Sequence, residues 1–353
     1  MNPRYRTTYL TEAEYDEWNQ LVSKSPQGSI YSTPQYLSTL CMVTNATFRI
    51  LAVRRGDELV GGVGLYEVKS PGGSYLSPRL LLYYNGILLR HFETKYPSMR
   101  TSRYLEILDA IEGTVSRSGY SRVILKNHNS LTDARLFQTR GWTALPTYTY
   151  VVPLGDLNLL WNRVEQNLRR LINRCSQDGI QFTEDGDFES FYKMHEETMK
   201  RKGALLYLPC DLFRRYFESL KSQQLCRIYQ VRLPNGRPIA SQLVLLGPYE
   251  CAHTVSAAAD KEFLNVGANA FLRWKVFEAL SKMGYSANDL TDAALNPVTH
   301  FKSQLGGDLQ TCFELVRPDT LMFRAYWKTR GLVDLGRRGF RRLVRLSPSG
   351  TEP

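Results

Sequence analysis

The sequence predicts an α/β protein of two tandem units with the same element order, mixed sheets flanked by helices, and a helical insert between them. Three observations predict it. A hairpin pattern occurs twice, as "RILAVRRGDELVGGVGLYEV" (Arg49–Val68) and "RIYQVRLPNGRPIASQLVLL" (Arg227–Leu246). Each is an alternating, β-branched run interrupted by turn residues, Gly56-Asp57 in one and Pro234-Asn235-Gly236 in the other. A helix ending in Gly-Tyr then follows in both copies, "YLEILDAIEGTVSRSGY" and "AFLRWKVFEALSKMGY", where the glycine supplies a left-handed stop. Finally, the step from that glycine to the next turn glycine is 22 residues in each copy, Gly119 to Gly141 and Gly284 to Gly306.

The remaining elements fall into place along the chain. In the first hairpin "GGVG" at Gly61 lies inside a strand, which predicts close backbone packing rather than a nucleotide loop. Short strands follow the two helices ("SRVIL" and "SANDL"), and the units close with "LFQTRGWTALPTYTYVVPL" and "FKSQLGGDLQTCFELVRP". "VVPLGD", with Pro153 and Gly155, marks the boundary. Beyond it Leu160, Val164, Leu168, Leu171, Ile172 and Cys175 recur at helical spacing, predicting one helix stopped by Gly179. "DFESFYKMHEETMKRKG" and "CDLFRRYFESLKSQ" predict two more. The expected division is residues 1–152, residues 153–318 with the insert at 156–222, and a tail at 319–353.

Composition narrows the class. The chain has 353 residues, 43% hydrophobic and 22% charged, as expected of a folded protein of about two domains. No run approaches the roughly 20 apolar residues of a membrane span, and the N-terminus lacks a signal-peptide core. Six scattered cysteines without a C-x-x-C pair predict free thiols in a reducing cytoplasm. The formal charge of +11 is uneven: Arg324–Arg345 holds eight Lys or Arg against one Asp. That basic segment, interspersed with Leu, Val, Phe and Trp, suits an anionic membrane surface or RNA phosphates.

Several chemistries find no support. "HEETM" at His195 has Met199 where a zinc protease needs its second histidine. There is no G-x-S-x-G elbow and no phosphate loop ending in Gly-Lys-Ser/Thr. His91, His128, His195, His253 and His300 show no metal-ligand spacing, so no metal is expected.

Five segments carry a resemblance. In the second unit stand the basic helix "NLRRLINRCSQDGIQF", the stretch "NVGANAFLRWKVFEALSKMGYSANDLTDA" and the turn "HFKSQLGG"; in the first stand "YSTPQYL" and "LLLYYNGILL". In this order they resemble the Fem-type family of GNAT-fold acyltransferases, over most of residues 10–318. That family includes aminoacyl-tRNA-dependent transferases of peptidoglycan bridges and related bacterial N-acyltransferases. The resemblance implies two GNAT-like units, the first degenerate and the second carrying the site. Departures are Leu305 in place of an aromatic, the absence of a coiled-coil insertion, and Gly267 as the lone glycine where coenzyme A-using relatives carry a richer phosphate-binding loop.

The implied chemistry is attack of an amine on an activated acyl carbon through a tetrahedral oxyanion. The resemblance assigns Lys302, before the Gly306-Gly307 turn, to the acyl centre or the tRNA end. As a turn lysine it is expected to be exposed and dispensable for folding. Arg201 and Lys202 stand where the family binds acceptor phosphates. Asp292, at a strand end, can orient or deprotonate the amine, with His253 as an alternative base. Arg163, Asn167, Arg170 and Arg174 share one helix face, and a row of guanidiniums suits phosphates. The expectation is therefore a cytoplasmic enzyme, with peripheral membrane contact through the basic tail as one use of that segment, that acylates an amine of a phosphorylated or peptide-like acceptor, with aminoacyl-tRNA as donor and no required cofactor. Alternatives are an acyl-CoA or acyl carrier protein donor, as in exopolysaccharide synthesis, and a non-catalytic ligand-binding scaffold.

Overall fold

The computed structural model describes residues 4–79, 81–247 and 250–329. Most of the basic segment, residues 330–353, lies outside the described residues. The first half runs β1 (Arg6–Tyr9), α1 (Tyr15–Lys24), α2 (Pro34–Thr44), β2 (Thr47–Arg55), β3 (Glu58–Val68), β4 (Tyr75–Leu76), β5 (Ile87–Leu89), α3 (Pro97–Arg117), β6 (Arg122–Lys126), α4 (Arg135–Thr139) and β7 (Thr143–Pro153). The second runs α5 (Leu157–Arg163), α6 (Gln166–Gln177), β8 (Gln181–Thr183), α7 (Phe188–Lys202), α8 (Cys210–Ser222), β9 (Cys226–Arg232), β10 (Pro238–Leu245), β11 (Cys251–Ala259), α9 (Ala268–Lys282), β12 (Ala287–Asp289), α10 (Pro297–Ser303) and β13 (Asp308–Arg317).

Both hairpins form, β2–β3 and β9–β10, turning at Gly56 (φ +60°) and Gly236 (φ +86°). Gly119 and Gly284 adopt the left-handed conformation after α3 and α9. Within β3, a Cβ on Gly61 would lie 2.9 Å from the Leu88 carbonyl, so the glycine run serves close packing.

The two units share one mixed sheet, ordered β1-β2-β3-β4-β6-β13-β7-β12-β11-β10-β9-β8 with β5 beside β3. The closing strands are exchanged. β13, the last described strand, pairs with β6 of the first unit, while β7, last of the first unit, pairs with β12 of the second. β7 and β13 also pair with each other from Asp308↔Val151 to Val316↔Thr143. The sheet is therefore continuous across residue 152, and each unit is completed by the other's final strand.

The insert departs from expectation. The helix predicted from Leu160 to Cys175 is broken at Val164 and Glu165, which are both extended. The freed Glu165 N–H donates to the Gln304 carbonyl at 3.0 Å, so the break docks the insert onto the turn after α10. Leu168, Ile172 and Cys175 of α6 are buried in the same core as α9. α8 buries Phe213, Tyr216, Phe217 and Leu220 at helical spacing, in a core shared with α2 of the first unit. The Tyr36 and Tyr216 hydroxyls meet there at 2.9 Å. The insert thus grips both units, and it includes the short strand β8 as well as helices.

Candidate active site

β11 and β12 run parallel for three pairs, Cys251↔Ala287, Ala252↔Asn288 and His253↔Asp289. β12 ends there while β11 continues to Ala259, so a wedge opens between them. The chain leaves β12 through Thr291 (φ +47°) and Asp292 (φ +55°), both left-handed. For a β-branched threonine this conformation costs on the order of 1–3 kcal/mol and persists only when its surroundings enforce it.

Those surroundings are explicit. The Asp289 carboxylate accepts the Thr291 N–H at 2.7 Å, the Tyr84 hydroxyl at 2.7 Å and the Thr149 hydroxyl. Across the wedge the Thr291 hydroxyl donates to the Thr254 carbonyl at 2.8 Å. Lys302 then donates to the Thr291 carbonyl and, at 2.7 Å, to the Asp292 carbonyl. Asn296 caps α10 by accepting the Thr299 N–H at 3.0 Å, and Pro297 starts it, which aims the last turn and Lys302 back at the wedge.

Lys302 is consequently not the exposed turn lysine expected. It sits within α10, is 8% exposed, and ties the strand end down. Burial first, and the Arg273 guanidinium second, push its ammonium down to about 8, against the opposing pull of Asp292 and Asp289. Burial opposes the charge on Asp289, but His253 beside it and the Thr149 and Tyr84 hydroxyls hold its carboxyl well below the usual range. Burial also lowers His128 to about 4, keeping it neutral.

The other expected residues divide into two sets. Asp292 is exposed at the rim, where its carboxylate joins burial in raising the Tyr83 and Tyr207 phenols. Lys202 is largely exposed, yet its ammonium is near enough to depress both His195 and Lys302. These two join Lys302 at the wedge. His253 is buried, 1% exposed, with its ring 5.0 Å from that of Tyr31 and its Nδ1 3.6 Å from Asp289. It belongs to the floor rather than the rim, and that separation is too long for a hydrogen bond.

The second set lies away from the wedge chemistry. Arg163 pairs with Asp308 at 2.5 Å, Arg174 with Asp178 at 3.5 Å, and Arg170 is exposed on the outer face of α6. Arg201 is exposed and donates to Thr198 at 3.3 Å. Gly267 (φ +89°) caps α9, and a Cβ there would meet the Leu171 side chain at 2.6 Å. Gly306 (φ +82°) and Gly307 pack against Leu160 and the Val151 carbonyl, so their lack of a side chain has a structural explanation.

Sequence reasoning missed Asp289, Thr149, Tyr83, Tyr84, Tyr207 and Arg273. An acid inside the short apolar strand "SANDL" and the tyrosine pair in "LLLYYNGILL" were the available signals. Thr149 arrives from the first unit because strand exchange sets β7 against β12, and Tyr84 comes from that unit's segment between β4 and β5.

Residues 162–303 match the acetyltransferase (GNAT) domain family model. No curated protein matches the chain. Among solved structures, FemX is similar at 13% identity with a TM-score of 0.68, over 88% of this chain and 96% of that one. L-PGS from Bacillus licheniformis is similar at 13% identity and TM-score 0.56, over 89% and 96%. A tandem GNAT protein from the clavulanic acid biosynthesis pathway follows at 11% and 0.51, over 89% and 98%. Residues 162–303, which hold Asp289, Asp292 and Lys302 of the wedge, are thus a domain of the acetyltransferase (GNAT) type, and the chain shares the fold of FemX.

Proposed function

We propose that this enzyme moves an aminoacyl group from aminoacyl-tRNA onto an amine of a phosphorylated or peptide-like acceptor, forming an amide. The observation that carries the reading is the fixed ammonium of Lys302. An ammonium has three N–H donors, and two of Lys302's are taken by the Thr291 and Asp292 carbonyls. The third is left for an incoming oxygen. Attack by the amine forms a C–N bond and places negative charge on the former carbonyl oxygen, which that donor stabilises. Asp292, at the rim, takes the proton released by the attacking amine. Collapse of the intermediate breaks the ester bond, and the 3′-oxygen leaves as a hydroxyl carrying that proton.

Two observations support a tRNA donor over a coenzyme. The turn before α9 has the single glycine Gly267, closed over by Leu171. It also presents Asp260 and Glu262, both paired with Arg237 at 2.7 and 2.8 Å. Arg237 is thereby engaged, and the closed glycine leaves fewer backbone amides free to cradle a diphosphate. The similarity to FemX and L-PGS points the same way. The acetyltransferase family model over 162–303 favours the rival reading, an acyl thioester donor on coenzyme A or a carrier protein.

Two assays on the purified protein separate these readings: amine-dependent deacylation of aminoacyl-tRNA, and thiol release from acyl-CoA or acyl carrier protein. The first is expected to respond and to require Lys302. Thiol release without tRNA deacylation would replace the donor. No helix among the described residues is long and apolar enough to cross a membrane. We assign the basic segment Arg324–Arg345 to contact with tRNA or an anionic membrane face, which binding to neutral and anionic vesicles distinguishes.

A further inference from the structure

Arg273, in the second turn of α9, is 6% exposed, and its Nη1 is buried with no hydrogen-bond partner. Among the described residues no carboxylate forms an ion pair with it. Its near charge is another cation, the Lys302 ammonium. A buried guanidinium without a counter-charge is costly, and structures retain one where something else supplies the charge.

The repeat shows that the fold itself does not ask for these charges. Arg273, Asp289 and Lys302 stand eleven residues before, five after and eighteen after Gly284; Leu108, Ile124 and Phe137 stand at the same places around Gly119. The matching elements are α3 and α9, β6 and β12, α4 and α10. Leu108, Ile124 and Phe137 are all buried. One unit thus fills with apolar side chains the three positions that the other fills with charge.

The enclosed charges do not cancel. Lys302 has the buried carboxylate Asp289 near it, and that is already engaged by Thr291, Tyr84 and Thr149; among the described residues Arg273 has none. His128 and His195 are held neutral by burial. At the rim, Lys202 and Asp292 offset each other. The guanidinium of Arg273 is the buried positive charge without a carboxylate partner, and a singly charged oxygen group neutralises it.

We propose that Arg273 and Lys302 form a receptor for a monoanionic oxygen group of the substrate, a carboxylate or a phosphodiester. This deepens the transferase reading and rests on it for the source: a phosphodiester belongs to the end of a tRNA donor, a carboxylate to a peptide-like acceptor. Guanidinium supplies the planar pair of donors such a group accepts, and the anchored ammonium adds its charge while its one free N–H stays with the acyl oxygen.

The test is calorimetric titration and thermal melting of the full chain, as wild type, Arg273→Leu and Arg273→Lys. The probes are the dinucleoside phosphate CpA and N-acetylalanine. One of them is expected to bind wild type saturably and raise its Tm, identifying the source. Binding should weaken at least tenfold in Arg273→Leu and recover in part in Arg273→Lys. Without ligand, Arg273→Leu should melt at or above wild type, as the sister unit's leucine implies. The proposal is overturned if neither probe binds wild type, if Arg273→Leu binds as well as wild type, or if that variant melts lower or fails to fold, since the guanidinium would then be a structural strut. Intact anion binding in a protein that transfers no aminoacyl group would count against the proposed reaction and leave the receptor standing.

Discussion

The two units share an element order and differ in what fills the place where their parallel strands part. In the first, neutral amides stitch the backbone together. Asn85 accepts the Lys126 N–H at 2.8 Å and donates to the Ile124 carbonyl at 2.8 Å; Asn127 accepts the Ile87 N–H at 2.9 Å and donates to the Leu125 carbonyl at 3.0 Å. Phe137 and Trp142 pack against each other in that unit's apolar core at a ring separation of 5.2 Å. The corresponding region of the second unit holds Asp289, Lys302 and Arg273, with two left-handed residues between. One unit satisfies its backbone locally and closes. The other leaves charge and strain in place, which is where chemistry becomes possible.

The largest expected effect breaks that contrast at its centre. Lys302→Ala should lower single-turnover transfer by about 10²–10³, the range for one preorganised donor. It should also destabilise the fold, because two buried carbonyls lose their partner at about 1–3 kcal/mol each. Phe137→Ala, the matching change in the first unit, should cost about 3–5 kcal/mol of stability while turnover per folded molecule stays at the wild-type level. Single-turnover kinetics beside denaturant unfolding checks both, and a turnover loss in Phe137→Ala would abolish the distinction.

Asp289→Asn comes next. An amide cannot accept from Thr291, Tyr84 and Thr149 at once, so about 1–3 kcal/mol should be lost at neutral pH. The wild-type carboxyl is depressed in the folded state. Its stabilisation is therefore present above the unfolded value of about 4 and falls away as pH drops below it. Unfolding followed as a function of pH should show that acid sensitivity in wild type and less of it in the variant.

Lys302 titrates in the opposite window. Its folded value of about 8 lies below the unfolded value of about 10.4, so the folded state carries the charge at a penalty. That penalty is full below pH 8 and relieved between about 8 and 10.4, so stability should rise across this window. Transfer should fall earlier, half lost near the folded value of about 8, because it follows the folded-state ammonium alone. A pH–rate profile flat to pH 10 would exclude the charged form from the reaction.

The smallest effect concerns the outer face of α6. Replacing Arg170 and Arg174 together should change stability by less than about 0.5 kcal/mol, as both are exposed. Polyanion affinity should drop and its dependence on log salt should flatten. A salt-independent affinity would remove this face from any RNA contact.

Much of this architecture was legible because it is written in short-range patterns. Alternation gave the hairpins, and the left-handed glycines at 119 and 284 gave the helix stops. The 22-residue spacing gave the repeat. Lys302, Asp292 and Lys202 were singled out and do meet at one wedge. The burial of Lys302 was not legible, since the turn signal at Gly306-Gly307 reports the chain beside the lysine and not what covers it. Asp289 was passed over because its partner Tyr84 stands 205 residues earlier. The break at Val164 was hidden by an apolar spacing that continues through it.

What the sequence by itself determined is the set of elements and their repetition, since periodicity, turn residues and left-handed glycines act within a few residues of one another. The tertiary structure decided which strands pair and which charges are buried. β7 could complete its own unit or its neighbour's with the same alternation; the exchange with β13 brings Thr149 to Asp289, where Tyr84 also donates. Desolvation belongs to the same level. A lysine takes its ordinary value in water and one near 8 only after chain from both ends has closed around it.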